Sequence, residues 1–183
     1  MTYSGVAAGG GGGTSGVTKI AGTTLASGQL QVDFTAIPTT YSALLLLGSA
    51  RSQMSSTDTI ALRFNGITAA GYYTVANKII ANAVTSTTSN GDTMIPVGTV
   101  PGSNNTDFVG SFSVWIPNYA TTAKQKSIFG LGSGLIGGST AGWTPGHFTG
   151  QWNYTAAITS IGILTTSGNW VAATSTFSLY GYA

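Results

Sequence analysis

From Gln29 to the C-terminus, apolar and polar residues alternate with a period of two, and that period argues against helix throughout. Leu30, Val32 and Phe34 alternate with Gln29, Gln31, Asp33 and Thr35 until Pro38 stops the strand. Ile60, Leu62 and Phe64 alternate with Thr59, Ala61 and Arg63. Phe108, Gly110, Phe112, Val114 and Ile116 alternate with Val109, Ser111, Ser113 and Trp115, and Pro117 ends that strand. Ala43-Leu44-Leu45-Leu46-Leu47 breaks the pattern. The run is too short for an uncapped helix and reads as a strand buried on both faces.

Turn signals divide the remaining chain. Asn65-Gly66 follows Phe64 directly and predicts a hairpin, because both residues tolerate positive φ. Asn90-Gly91 and Ser167-Gly168-Asn169 read as further turns. Residues 72–84 read as one strand. Met94–Val100, interrupted by Pro96, reads as an edge or a bulge. A short strand at Ile128–Leu131 runs into a glycine-rich stretch at 130–138, and Trp170–Tyr180 closes the chain. About nine strands without a helix predict an all-β, two-sheet antiparallel sandwich or barrel.

Before the alternating body, residues 5–16 form a low-complexity tract containing five consecutive glycines, Gly9, Gly10, Gly11, Gly12 and Gly13. Such a tract cannot offset its own ordering entropy. Residues 1–27 are therefore expected to be a flexible arm, available to order against a neighbouring subunit, and residues 28–183 the body. The tract is no phosphate loop, since Lys19 stands at the wrong spacing and heads no apolar helix.

Composition limits the chemistry. Charged residues make up 5% of the chain, there is no Glu and no Cys, and there is one His. Disulfides, thiolate chemistry and multi-histidine metal centres are excluded. A net charge of +2 on six basic residues is too weak for a phosphate backbone, so nucleic acid is not expected as a partner. No apolar run is long enough for a helical membrane span. Met1-Thr2-Tyr3-Ser4 lacks the basic, then apolar, pattern of a secretory signal. Ser and Thr together number 49, so hydroxyls rather than charges are expected to wet the surface. A surface poor in charge lacks the usual defence against association.

Candidate sites are few. His147 has no carboxylate or nucleophile near it in sequence, the nearest Asp being Asp107, and reads as a structural or interface residue. Trp143, His147, Trp152 and Tyr154 form an aromatic-rich stretch that could pack in a core or subunit contact, or stack on sugar rings. Asp33, Asp58, Asp92 and Asp107 are assigned to turns and strand ends rather than to calcium. Arg51 and Arg63 could pair with Asp33 or Asp58, and Lys124 and Lys126 mark an exposed connection. No catalytic constellation, cofactor or metal is expected, and the chain reads as a non-enzyme.

The order of several pieces resembles a β-sandwich domain of bacteriophage virion proteins. The pieces are Phe34-Thr35-Ala36-Ile37-Pro38-Thr39-Thr40-Tyr41-Ser42-Ala43-Leu44, Ser49-Ala50-Arg51-Ser52 and Leu62-Arg63-Phe64-Asn65-Gly66, with Ile161-Gly162-Ile163-Leu164 and Ser175-Thr176-Phe177-Ser178-Leu179-Tyr180-Gly181 at the end. The resemblance spans about residues 28–183 and departs after Gly66, where Ile67 stands in place of an acidic residue. It implies a jelly-roll-like sandwich, a homotrimer and a place on the outer surface of a phage particle. The expected role is a capsid decoration, or cement, protein bound to the phage major capsid protein or another virion protein. The alternative is a receptor-binding tip of a tail or head fibre that recognises host glycan through residues 143–154.

Overall fold

The computed structural model describes residues 16–80, 83–135 and 143–183. Among the described residues there are twelve strands, all paired antiparallel, and no helix. The smaller sheet is ordered β2 (Gln31–Phe34), β11 (Ile161–Thr165), β4 (Asp58–Phe64) and β7 (Ile95–Val100). The larger runs β1 (Val17–Thr24), β12 (Thr176–Tyr182), β3 (Ala43–Ala50), β8 (Gly110–Pro117), β9 (Lys126–Leu135), β10 (Trp143–Trp152), β5 (Tyr72–Ile80) and β6 (Ala83–Asp92).

The connectivity is jelly-roll-like. From β2 to β5 the chain changes sheet at every step, and it changes again on entering and leaving β7 and β11. When the meander β8–β9–β10 is counted as one strand, and β1 and β12 are set aside as additions at one edge, four strands remain in each sheet in jelly-roll order. The two-sheet sandwich expected from the alternation is thus the observed fold.

Alternation decides which side chains fill the space between the sheets. Leu44 and Leu46 of β3, Phe112, Val114 and Ile116 of β8, and Phe177 and Leu179 of β12 point inward. They meet Ile60, Leu62 and Phe64 of β4 and Ile161 and Ile163 of β11 in one apolar core. β7 lies closest to the large sheet, against β8 and β9. Glycines permit that approach: a Cβ on Gly132 would stand 2.7 Å from the Val97 carbonyl oxygen, and one on Gly134 only 1.9 Å from that of Thr99.

Several local expectations need correction. Residues 17–24, expected in the arm, are β1, hydrogen-bonded along β12 as the sheet's edge strand. The glycines at 9–13 lie outside the described residues. Asn65 (φ 51°) and Gly66 (φ 66°) do make a tight turn, closed by the Ile67 amide donating to the Phe64 carbonyl at 3.0 Å. That turn carries the chain from one sheet to the other rather than making a hairpin, since β4 pairs with β11 and β7. Gly91 (φ 73°) forms a bulge within β6, because Tyr72 pairs with Asp92 while Tyr73 pairs with Asn90. Residues 72–84 are two strands, and the glycine-rich stretch after Ile128 is the interior of β9 up to Leu135. Pro96 sits on the edge strand β7 beside a bulge, as expected.

The leucine run gives the most informative difference. Leu44 and Leu46 are fully buried, but Leu45 is only half-buried and Leu47 is exposed. One face of β3 is covered by the chain and the other is open.

Candidate functional site

The aromatic segment 143–154 does not assemble into one platform. Residues of β10 alternate between the two faces of the large sheet, which puts His147 and Trp152 on opposite sides. Trp152 is 0% exposed. Its ring packs edge-on to Phe64 at 5.6 Å and tilted against Tyr154 at 5.4 Å, and the Lys126 ammonium lies 5.6 Å from its centroid. Of the two roles open to it, Trp152 takes the core and cannot stack on a sugar. Tyr154 is half-buried over Gly71, where a Cβ would come within 2.5 Å of its ring. His147 is exposed, with Nε2 3.0 Å from Nδ2 of Asn77 on β5. Trp143 opens β10 opposite Leu135, and its side chain lies outside the described residues.

The charged groups find neutral partners. Lys126, expected on an exposed connection, is buried. Its ammonium donates to the carbonyls of Thr121 (2.7 Å), Lys124 (3.0 Å), Thr155 (2.6 Å) and Ala156 (2.6 Å). Burial lowers its pKa from the ordinary lysine value. Asp58 is buried at the start of β4, where it accepts hydrogen bonds from the Ser52 and Ser167 hydroxyls, both at 2.6 Å, and the Thr59 amide at 2.8 Å. Arg51 donates to the Gly102 carbonyl at 3.1 Å, and Arg63 to the Thr93 carbonyl at 3.3 Å and Gln31 Oε1 at 3.4 Å. The pairing of these arginines with Asp33 or Asp58 is absent from the contacts they make. Among the described residues no group of three or more metal-ligating side chains comes together.

Two concave surfaces stand out among the described residues. The first is a groove of about 260 Å³ where the large sheet overhangs β7. Its walls include Thr74, Ala76, Thr87, Thr99, Thr144 and Phe148, with Lys78 at the side. The Thr74 hydroxyl oxygen is buried there without a hydrogen-bond partner. The second is a depression of about 340 Å³ on the opposite, outward face of the large sheet, over Thr149 and between Phe129, Val75 and Tyr73.

That outward face went unnoticed in the sequence reading. Leu45, Trp115, Phe129, Thr149 and Val75 stand in one cross-strand row. Leu47, Ser113, Leu131, His147 and Asn77 stand in the next. Phe129 is 49% and Leu131 64% exposed. The signal was present in the leucine run, whose pattern calls for cover on both sides.

No family model matches the chain, and no curated protein matches it. Among solved structures it is similar to a chain described as "Structure of infectious bursal disease virus Gx strain", with 10% identity and a TM-score of 0.13. The match covers 92% of this chain, which spans 36% of that one, and at this score it carries no argument about fold or function.

Proposed function

We propose that this chain is a structural component of a bacteriophage particle, and in the fuller reading a trimeric decoration protein set on the outer surface of the shell. The observation that carries the proposal is the open outward face of the large sheet, uncharged and set with exposed apolar side chains among hydroxyls and amides, on a jelly-roll-like body. Such a body is suited to work through contact rather than turnover. Many weak contacts add through multivalency, which is how a cement protein would resist pressure from inside a shell. The resemblance of its sequence pieces to phage virion domains gives the direction.

Copy number on the particle tests the reading. Copies spread over the whole shell are the expected result, and a handful confined to a vertex or tail end would overturn it. The glycine tract supplies a second test. Deleting residues 1–15 leaves β1 in place on β12, so the body should still fold while attachment to particles is lost. Unchanged attachment would remove the arm from the account.

A second reading, a fibre tip that binds host glycan, is favoured by the threonine-bearing, mainly apolar groove with its unpartnered Thr74 oxygen. On that reading Thr74→Val abolishes adsorption to cells, whereas on the decoration reading it leaves particle attachment intact.

A further inference from the structure

We infer that the outward face of the eight-stranded sheet is a contact between copies of this chain, in which the Phe129–Leu131 ridge of one copy seats in the depression over Thr149 of another. The inference rests on the assembly reading above in supposing that copies meet; a face that pairs with itself joins copies two by two, so this contact is additional to the one that would close a trimer.

The first argument is the charge map. Outward positions are those that share a face with Phe129 and His147. Among the described residues of β3, β8, β9, β10, β5 and β6, none of them is Asp, Glu, Lys or Arg. The lysines on these strands fall on the other side: Lys78 lines the inner groove and Lys126 is buried beside Trp152. Surfaces meant for solvent normally carry interspersed charges of both signs, which oppose association. A face without charge has no field with which to steer a charged partner, and it meets no like-charge repulsion when it meets itself.

The second argument is the apolar content. Besides Phe129 and Leu131, exposed apolar side chains on this face include Leu47, Val75, Ile79 and Val84. Leu45, half-buried, adds a further leucine to the same face beside Leu47.

Shape and size select the occupant. A ridge and a depression lie on the same face, one strand apart, as a surface complementary to another copy of itself needs. Six adjacent strands at about 4.8 Å spacing, over about seven residues at ~3.3 Å each, give a footprint of roughly 29 by 23 Å. That is roughly 670 Å² before side-chain relief, close to the ~800 Å² per partner of a stable interface.

The test uses the full chain. Sedimentation velocity compares the wild type with the double variant Phe129→Lys/Leu131→Lys and with Leu30→Lys, an exposed apolar residue just before β2. The wild type is expected to be multimeric, the double variant to self-associate about 100-fold or more weakly, because it places like charges in a desolvated contact, and Leu30→Lys to match the wild type. Since the chain has no Cys, cross-linking gives a second readout that does not depend on the lysine variant folding. Mixed L131C and T149C copies should form a disulfide under mild oxidant, and mixed L30C and T149C copies should not. A monomeric wild type, a folded double variant with unchanged association, or absence of the L131C–T149C cross-link would overturn the inference. Each of these outcomes leaves the shell-wide copy number untouched. A multimer bearing the cross-link but absent from phage particles would instead overturn the virion reading and leave the face standing.

Discussion

Lys126 is the residue at which the sequence pattern and the structure diverge most. A lysine two positions after Lys124 in a polar connection looks solvated, yet its ammonium is the knot that ties residues 121–124 to residues 155–156. Only the identity of the carbonyls that surround it could have announced this, and two of the four, those of Thr155 and Ala156, come from a segment about thirty residues downstream. Lys126→Met keeps the length of the side chain but leaves four carbonyls without their donor. Charge-assisted hydrogen bonds contribute about 1.5–3 kcal/mol each and are not additive, so a loss of about 3 kcal/mol or more is expected in urea unfolding. Wild-type stability in that variant would refute the knot. Tyr72 makes a second local tie: its hydroxyl accepts from the Phe64 amide at 3.0 Å and donates to the Ile67 carbonyl at 3.0 Å, holding the corner between β4 and β5. Burial raises the Tyr72 phenol above its ordinary 10.0, against smaller opposing effects of the Phe64 hydrogen bond and the Arg63 charge, and burial does the same at Tyr119. The folded state then holds these protons more tightly than the unfolded chain, so their contribution is full below pH 10.0 and is lost as pH rises through the folded values. Lys126, lowered by burial, contributes the opposite slope over the alkaline range and must be kept constant in the comparison. Tyr72→Phe is expected to lower stability by about 1–3 kcal/mol at neutral pH, because it leaves a buried amide unpaired. It should also flatten the alkaline fall in denaturation midpoint relative to the wild type; parallel curves would mean that Tyr72 does not titrate with folding.

At the scale of elements, β9 explains how the two sheets come so close. Gly130, Gly132 and Gly134 fall on its inner face with a period of two, and the last two lie under the backbone of β7. Gly132→Ala pushes a methyl group into the Val97 carbonyl, and neither can rotate away, because the Cβ position is fixed by the β9 backbone and the carbonyl belongs to that of β7. Overpacking of this kind costs about 1–3 kcal/mol. Ser133→Ala, one residue on and facing outward, should stay within about 0.5 kcal/mol of the wild type. Equal midpoints for the two variants in urea would contradict the close approach. The contrast also marks what could be read in advance. Strands that alternate cleanly, such as Phe112–Ile116, were legible because one face is buried and the other is not. The glycine-rich stretch after Ile128 shows no strand in the sequence beyond Leu131, since glycine weakens a strand unless another backbone lies against it, and the identity of that backbone is a tertiary fact. Asn65-Gly66 and Asn90-Gly91 share residue types that tolerate positive φ, but Asn65 and Gly66 both take it to change sheets, whereas at the second pair Gly91 alone takes it, to bulge a strand. Composition signals the backbone conformation at such a pair but not the partner of the strands beside it. The aromatic segment failed for a related reason: a period-two strand divides Trp152 from His147, so closeness in sequence did not become closeness on one surface.

Among the described residues the formal charges are set against neutral groups rather than against one another. Asp58 is held by hydroxyls and an amide, Lys126 by carbonyls, Arg51 by a carbonyl, and Arg63 by a carbonyl and an amide oxygen. Asp33 accepts from the Gln31 side chain at 2.7 Å. Screening acts between charges, and little of this stability comes from charge acting on charge. Raising sodium chloride from about 0.05 M to about 1 M shortens the Debye length to about 3 Å and would weaken any surface network of ion pairs. For this chain the thermal midpoint is expected to shift upward slightly or not at all, since the apolar core and the neutral hydrogen bonds are not screened. A multimer joined through the outward face of the large sheet should respond in the same way, because that contact contains no charge pair to weaken. Sedimentation and thermal unfolding run in parallel over the salt series separate the two levels. A midpoint that falls with salt would mean that unpaired charges contribute to the fold through longer-range attraction. A constant midpoint with dissociation of the multimer would place ionic contacts between copies, and would move the interface away from the Phe129–Leu131 ridge to a surface that bears charged side chains.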